Sequence, residues 1–166
     1  GVGMITTVIR KARAHVAQRA LDFAEEYKND PIMYTMGSGA GFGAAYMENI
    51  CIFMEMQWIH SGTIHTGEFF HGPFEVTDAN TPFVIQISEG STRELDERCL
   101  NFLHTYAKRI EVLDAKELGL SVIDSSVVDY FNHSLFNNVY PIYNHALAEA
   151  RQHPLTTRRY MWKVEY

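Results

Sequence analysis

At 166 residues, 46% of them apolar, the chain can bury a real core and has the length of one ordinary domain. Its formal charge of −6 is spread along the chain, and basic clusters are confined to Arg10–Arg19 and Arg158-Arg159, which argues against a nucleic-acid partner. Cys51 and Cys99 form neither a disulfide framework nor a metal spacing and read as reduced thiols in or near the core; no apolar stretch reaches the roughly 18 residues of a membrane span, so the expected compartment is the cytoplasm.

From Ile5 to Tyr27 the residues Ile5, Val8, Ile9, Ala12, Val16, Ala20 and Phe23 recur at spacings of three and four, the mark of a one-sided helix, which Lys28-Asn29-Asp30-Pro31 ends. Ile32 to Met36 reads as a short strand leading into the glycine-rich turn Gly37 to Gly43. Ala44 to about His60 reads as one helix, apolar nearly all round and therefore buried. Phe83–Ile87 is mostly continuously apolar, as suits a parallel strand covered on both faces. A helix over Thr92–Lys108 and a strand over Ile110–Leu113 complete a βαβαβ order, which predicts an α/β fold: a three-layer αβα sandwich around a doubly wound, mostly parallel sheet. Beyond Leu113 the pattern gives a short strand at Val122-Ile123-Asp124, a turn of helix over Ser126–Asn132, and a helix over Ser134–Gln152 interrupted or kinked at Pro141.

Gly39-Ala40-Gly41-Phe42-Gly43-Ala44 fits G-x-G-x-x-A between a strand and a helix, but no acidic residue ends a second strand about 20 residues on. A tight turn with close helix–strand packing explains it better than a dinucleotide. A phosphate on Ser38 and Gly39 remains open, because free N–H groups at a helix start favour anions.

The densest chemistry lies in Glu55-Met56-Gln57-Trp58-Ile59-His60 and His65-Thr66-Gly67-Glu68-Phe69-Phe70-His71-Gly72-Pro73, two carboxylates and three imidazoles among aromatic and aliphatic residues. Proton transfer at carbon needs a carboxylate base and an imidazole held near one another in a partly dry cleft. Glu55, deep in an apolar helix, is a base, the emerging end of a helix, or half of an ion pair; desolvation as a base would raise its pKa toward the working range. His71 precedes a Gly-Pro turn that can aim an imidazole into a cleft. Zinc on His60, His65, Glu68 and His71 fits no ligand signature, so no metal is expected. Glu68 reads as orienting the turn that carries His71, and His60 as a supporting residue. Arg158 and Arg159 belong to a C-terminal tail, 153–166, that docks on the domain, and arginine forks suit the carboxylates of an amino-acid substrate.

The Glu at the end of an apolar helix, the Ile59-His60 pair and the G-E-x-x-H-G-P run from Gly67 to Pro73 resemble the second half of a sugar isomerase (SIS) protein, the fold of the isomerase part of glucosamine-6-phosphate synthase. The runs Cys51–Gly62, Ser61–Glu75, Asp129–Tyr140 and His153–Tyr166 more closely resemble the fructose-asparagine deglycases, relatives of fructoselysine-6-phosphate deglycase. The resemblance implies a single SIS domain over 1–166, the C-terminal half of a two-domain enzyme, with a flavodoxin-like fold and no cofactor. It implies that Glu55 moves a proton between the first two sugar carbons, and that His71 assists ring opening from a neighbouring subunit. The implied substrate is a phosphorylated sugar–amino acid whose phosphate sits mainly on a loop of the other half. Lys163 does not align with the lysine that isomerases carry in their tail. An aldose–ketose isomerase would use the same Glu and His, and a sugar-phosphate sensor would need neither.

Overall fold

The computed structural model describes residues 2–166. Helix α1 (Val2–Tyr27) is followed by strand β1 (Ile32–Gly37), helix α2 (Phe42–Met47), strand β2 (His60–His65), strand β3 (Phe83–Ile87), helix α3 (Arg93–Tyr106), strand β4 (Ile110–Asp114) and helix α4 (Asn132–Ala150). The four strands form one parallel sheet in the order β2-β1-β3-β4. No helix among the described residues is long and apolar enough to cross a membrane.

The spacing that predicted α1 also sets its packing. Ile5, Val8, Ala12, Val16, Ala20 and Phe23 are buried and continue through Ala24 and Tyr27, and they join Leu135, Phe136, Val139, Tyr143 and Leu147 of α4 and Ala44 of α2 in one core on one face of the sheet. On the other face Met36, Ile64, Phe83, Ile85 and Ile87 meet Cys99 and Leu103 of α3 and Phe69. Helices thus cover both faces, and the expected three-layer αβα sandwich is what forms. Cys51 and Cys99 are free thiols, half-buried and buried.

Four assignments differ from the sequence pattern. The helix expected to run from Ala44 to His60 stops short: α2 leads into a π-helical segment, Glu48–Met56, closed by Gln57 N–H donating to Ile52 O at 2.8 Å, after which Trp58 adopts a φ of +56° and β2 begins at His60. Strand β2 was invisible because His60-Ser61-Gly62-Thr63-Ile64-His65 is polar except for Ile64; it is an edge strand paired with β1 alone. The strand expected at Val122–Asp124 is instead a 3-10 turn, Leu120–Val122, with Val122 exposed. Helix α4 runs unbroken through Pro141.

Buried polar groups fix how the layers meet. Gln86 on β3 is wholly buried, and its amide can donate to Gly41 O and accept from Ala45 N–H, both at 3.0 Å, and from the Tyr140 hydroxyl at 2.8 Å, joining β3 to α2 and α4. Glu111 on β4 accepts from Arg19 of α1 at 2.7 Å and from the Tyr143 hydroxyl of α4 at 2.7 Å. Arg93 grips Asp114 with both Nη atoms, at 2.8 and 2.7 Å, and Arg109 grips Asp30 at 2.5 and 2.6 Å. Such forks fix direction as well as distance.

The segment after β2 is anchored by aromatics. Phe69 is wholly buried, edge-on to Phe70 at 5.0 Å and to Phe102 of α3 at 5.6 Å. It opens the 3-10 turn Phe69–His71, so packing energy and the placement of His71 rest on one ring. Phe69→Ala should destabilise the protein by about 3–5 kcal/mol in urea unfolding. Hydrogen exchange at residues 69–76 should rise more than elsewhere.

Candidate active site

Glu55 stands on the last turn of the π-helical segment. A π turn carries more residues than an α turn and is found mostly as a local widening at functional sites. The chain leaves it through a sharp bend. A φ of +56° for a residue as bulky as tryptophan is a true outlier, held only where the surroundings over-determine it. The surroundings here are the C-terminal tail: the Arg159 guanidinium lies 4.2 Å from the centre of the Trp58 ring, and the His153 ring packs edge-on to it at 4.6 Å. Gln57 Nε2 donates to His153 O at 2.9 Å, and Arg151 Nη2 to Gln57 O at 3.2 Å.

Bend and tail together enclose a cleft of about 480 Å³, with Glu55, Trp58, His60, Arg158, Arg159 and Tyr160 among its walls. Arg158 Nη2 lies 2.9 Å from Glu55 Oε1, the two side chains being 10% and 27% exposed. Arg158 Nη1 donates to Leu155 O at 2.7 Å and to Thr157 O at 2.9 Å, so the guanidinium is tethered by its own tail. Lys163 Nζ donates to Arg158 O. The cleft therefore presents one carboxylate, two guanidinium groups and an imidazole, which suits an anionic substrate with an acidic C–H bond.

The sequence-derived candidates divide into two groups. Glu55, Arg158, Arg159 and His60 share the cleft. Ser38, Gly39, Glu68 and His71 do not line it. His71 is exposed at the end of its 3-10 turn, with its N–H on Glu68 O at 2.8 Å, beside Gly72 at φ +143°. It follows Phe69, which packs on the α3 face of the sheet, by two residues and is not among the residues that line the Glu55 cleft. Glu68 supports the His71 turn through its backbone carbonyl. Ser38 is buried and donates to Thr92 O at 3.4 Å; Gly39, at φ +49°, lies so close to Thr92 that an added Cβ would come within 2.7 Å of its hydroxyl. Both positions have a packing role, as the tight-turn reading has it. His60 and His65 are at opposite ends of β2, and no three His, Cys, Asp or Glu side chains converge as a metal site among the described residues.

Besides Glu111, two buried carboxylates escaped the sequence reading. Asp96 accepts from the Thr66 hydroxyl at 2.6 Å and from Ser88 N–H at 2.8 Å; burial raises its pKa and those hydrogen bonds oppose the rise. Glu48, at the start of the π segment, is 1% exposed and is pushed up to about 8 by burial, with the hydrogen bond from Asn144 Nδ2 at 3.0 Å lowering it in part. For Glu48 the signal was a charged residue inside an apolar run, the same signal that marked Glu55; Asp96, among the charged residues of Arg93–Arg98, carried no such mark.

The chain matches no family model. It is 48% identical to fructosamine deglycase FrlB of Bacillus subtilis (strain 168) over 166 residues, 100% of this chain and 51% of that protein. It is 33% identical to fructoselysine 6-phosphate deglycase of Escherichia coli (strain K12) over 89 residues, 54% of this chain and 26% of that protein. It thus spans about half the length of the Bacillus relative or less of the other. Its structure superposes with a TM-score of 0.96, at 50% identity, on a Salmonella typhimurium LT2 chain provisionally classed as a phosphosugar isomerase, covering 99% of this chain and 51% of that one. The C-terminal domain of glucosamine-fructose-6-phosphate aminotransferase from Francisella tularensis gives 0.75 at 15% identity over 92% of this chain and 44% of that one, a likeness of fold alone. The fold is that of the phosphosugar-isomerase (SIS) structures, and the sequence is similar to one half of a fructosamine deglycase.

The Glu48 carboxyl has a measurable consequence. Its folded value of about 8 exceeds the free value of 4.5, so the folded protein binds more protons between those limits. Stability from the neutral carboxyl is full below about 4.5 and is lost as pH rises through about 8. Denaturant unfolding between pH 5 and 9 should show the wild type losing stability relative to Glu48→Gln by up to roughly 1.4 kcal/mol per pH unit. Parallel curves for the two proteins would mean that Glu48 is ionised throughout.

Proposed function

We propose that the protein is a deglycase acting on 6-phosphofructosyl amino acids, releasing glucose 6-phosphate and the free amino acid. The carrying observation is a carboxylate, Glu55, that shares its cleft with Arg158 and Arg159. Isomerising a sugar phosphate needs a base at C1 but has no carboxylate for two arginines to bind. An amino-acid adduct has at least one and an acidic amino acid's adduct has two, which matches the two arginines; within that class the amino acid of this proposal is aspartate. The relatives named as deglycases support the same substrate class.

In the open-chain ketosamine the C1–H bond is acidified by the neighbouring carbonyl. Glu55 removes that proton to give an enaminol; return of the proton at C2 gives the imine of glucose 6-phosphate, and water cleaves it to the aldehyde and the amine. His71 moves the proton on the ring oxygen during ring opening. These steps draw on no metal or organic cofactor, since the carbonyl itself takes up the developing charge. Because His71 does not line the Glu55 cleft of its own chain, the His71 that serves a given Glu55 comes from a second copy of the chain.

Glu55→Gln and His71→Ala should each lower turnover of 6-phosphofructosyl aspartate by roughly 10² to 10⁴ without unfolding the protein; retained turnover in either removes that residue from the reaction. Mixing the two variants under conditions of proven subunit exchange should restore part of the activity, because one site of each hybrid pair then holds both wild-type groups. A mixture as inactive as its parents would place base and acid in the same chain.

A further inference from the structure

Arg158 is a fork used on one tine. Its Nη1 is occupied by Leu155 O and Thr157 O, its Nη2 meets Glu55 Oε1 at 2.9 Å, and its Nε finds no partner among the described residues although the side chain is only 10% exposed. Nε and Nη2 form one edge of the planar guanidinium, and that edge takes both oxygens of a carboxylate side by side. Glu55 supplies one oxygen. A buried donor left without an acceptor favours any ligand that can fill it.

We propose that Arg158 exchanges carboxylates during the cycle: the α-carboxylate of the bound fructosyl amino acid takes the Nε–Nη2 edge, and Glu55, released from the arginine, turns to the C1 proton. The inference rests on the reading of Glu55 as the base. The covalent structure of the substrate gives it the right reach. C1 bears the nitrogen, the nitrogen bears Cα, and Cα bears the carboxylate, so the carboxylate carbon lies three bonds from the carbon that loses its proton. A base within about 3.5 Å of that carbon is therefore also within a side chain's width of the α-carboxylate, and so is whatever holds the base.

Which partner moves is set by the tethers. Two tail carbonyls fix Nη1 of Arg158, whereas the Glu55 carboxylate has a single recorded contact and is the more exposed of the two. Departure of the amino acid restores the resting pair. The exchange makes the α-carboxylate part of the trigger, so a sugar amine without one leaves the base held.

Two probes that differ only in that group are N-(6-phosphofructosyl)alanine and N-(6-phosphofructosyl)ethylamine. Calorimetric titration of the complete protein with each isolates the exchange from chemistry. Replacing Glu55 by Gln removes the competing charge, so Glu55→Gln should bind the alanine adduct on the order of tenfold more tightly than the wild type, with little change for the ethylamine adduct. Arg158→Gln should lose the preference for the alanine adduct, and so should Arg158→Lys, which keeps the charge and not the fork. Equal effects of Glu55→Gln on both probes, or none on either, would overturn the exchange and leave the ion pair a fixed anchor of the tail. A wild type that binds both probes and turns over neither would instead remove the deglycase reading, while the binding contrast would still decide the exchange.

Discussion

The ion pair between Glu55 and Arg158 is the contact on which the site depends, because among the contacts that join two pieces of chain here it is the one that ties the candidate base itself to the tail. One is the end of a helix whose last turn is too wide to be α; the other is a tail with no regular structure and mostly exposed side chains. For an ion pair as sheltered as this one, desolvation offsets much of the Coulomb attraction, so it is not there chiefly for stability. What it supplies is position. With Arg158 tied to Leu155 O and Thr157 O, and Arg159 laid over Trp58, the tail becomes a wall of the cleft.

The same logic of paired polar groups runs through the frame that carries the cleft. Glu111 is met by α1 and α4 at once, Asp114 is gripped by the first residue of α3, and Asp30 ties the end of α1 to the residue before β4. Each joint lies between elements that apolar packing alone would let slide. Packing chooses the faces, and these contacts choose the register.

The parts of the fold that were legible from sequence are those with a period. Helix α1 announced its buried face at Ile5, Val8, Ala12 and Val16, and β3 announced itself by four apolar residues in a run of five, all five buried in the structure. Strand β2 had no such mark, since an edge strand with Ile64 as its one buried residue needs no alternation. The π segment was read as ordinary helix because a nearly all-apolar run has no phase from which a change of pitch can be told. At the site, residue types marked Glu55, His71 and the arginines. No local pattern could show that Arg158 reaches Glu55, or that His71 stays outside the Glu55 cleft of its own chain, because both depend on where the chain turns after Met56 and after Phe69.

The width of that last turn has a bearing on how such a protein can vary. Successive residues of an α-helix are about 100° apart around the axis, and a π turn, closed by i→i+5 bonds, spreads one circuit over roughly one residue more. A segment one residue shorter between Glu48 and Met56 and wound as ordinary helix would therefore still aim the carboxylate of Glu55 at the cleft, whereas a segment of the present length wound as ordinary helix would turn it by roughly 100°, off the cleft and away from Arg158. At this place, then, length and pitch are coupled: a shortened relative can keep the site on an ordinary helix, and one that kept the length but lost the wide turn could hold every side chain described above and still have its carboxylate facing the wrong way.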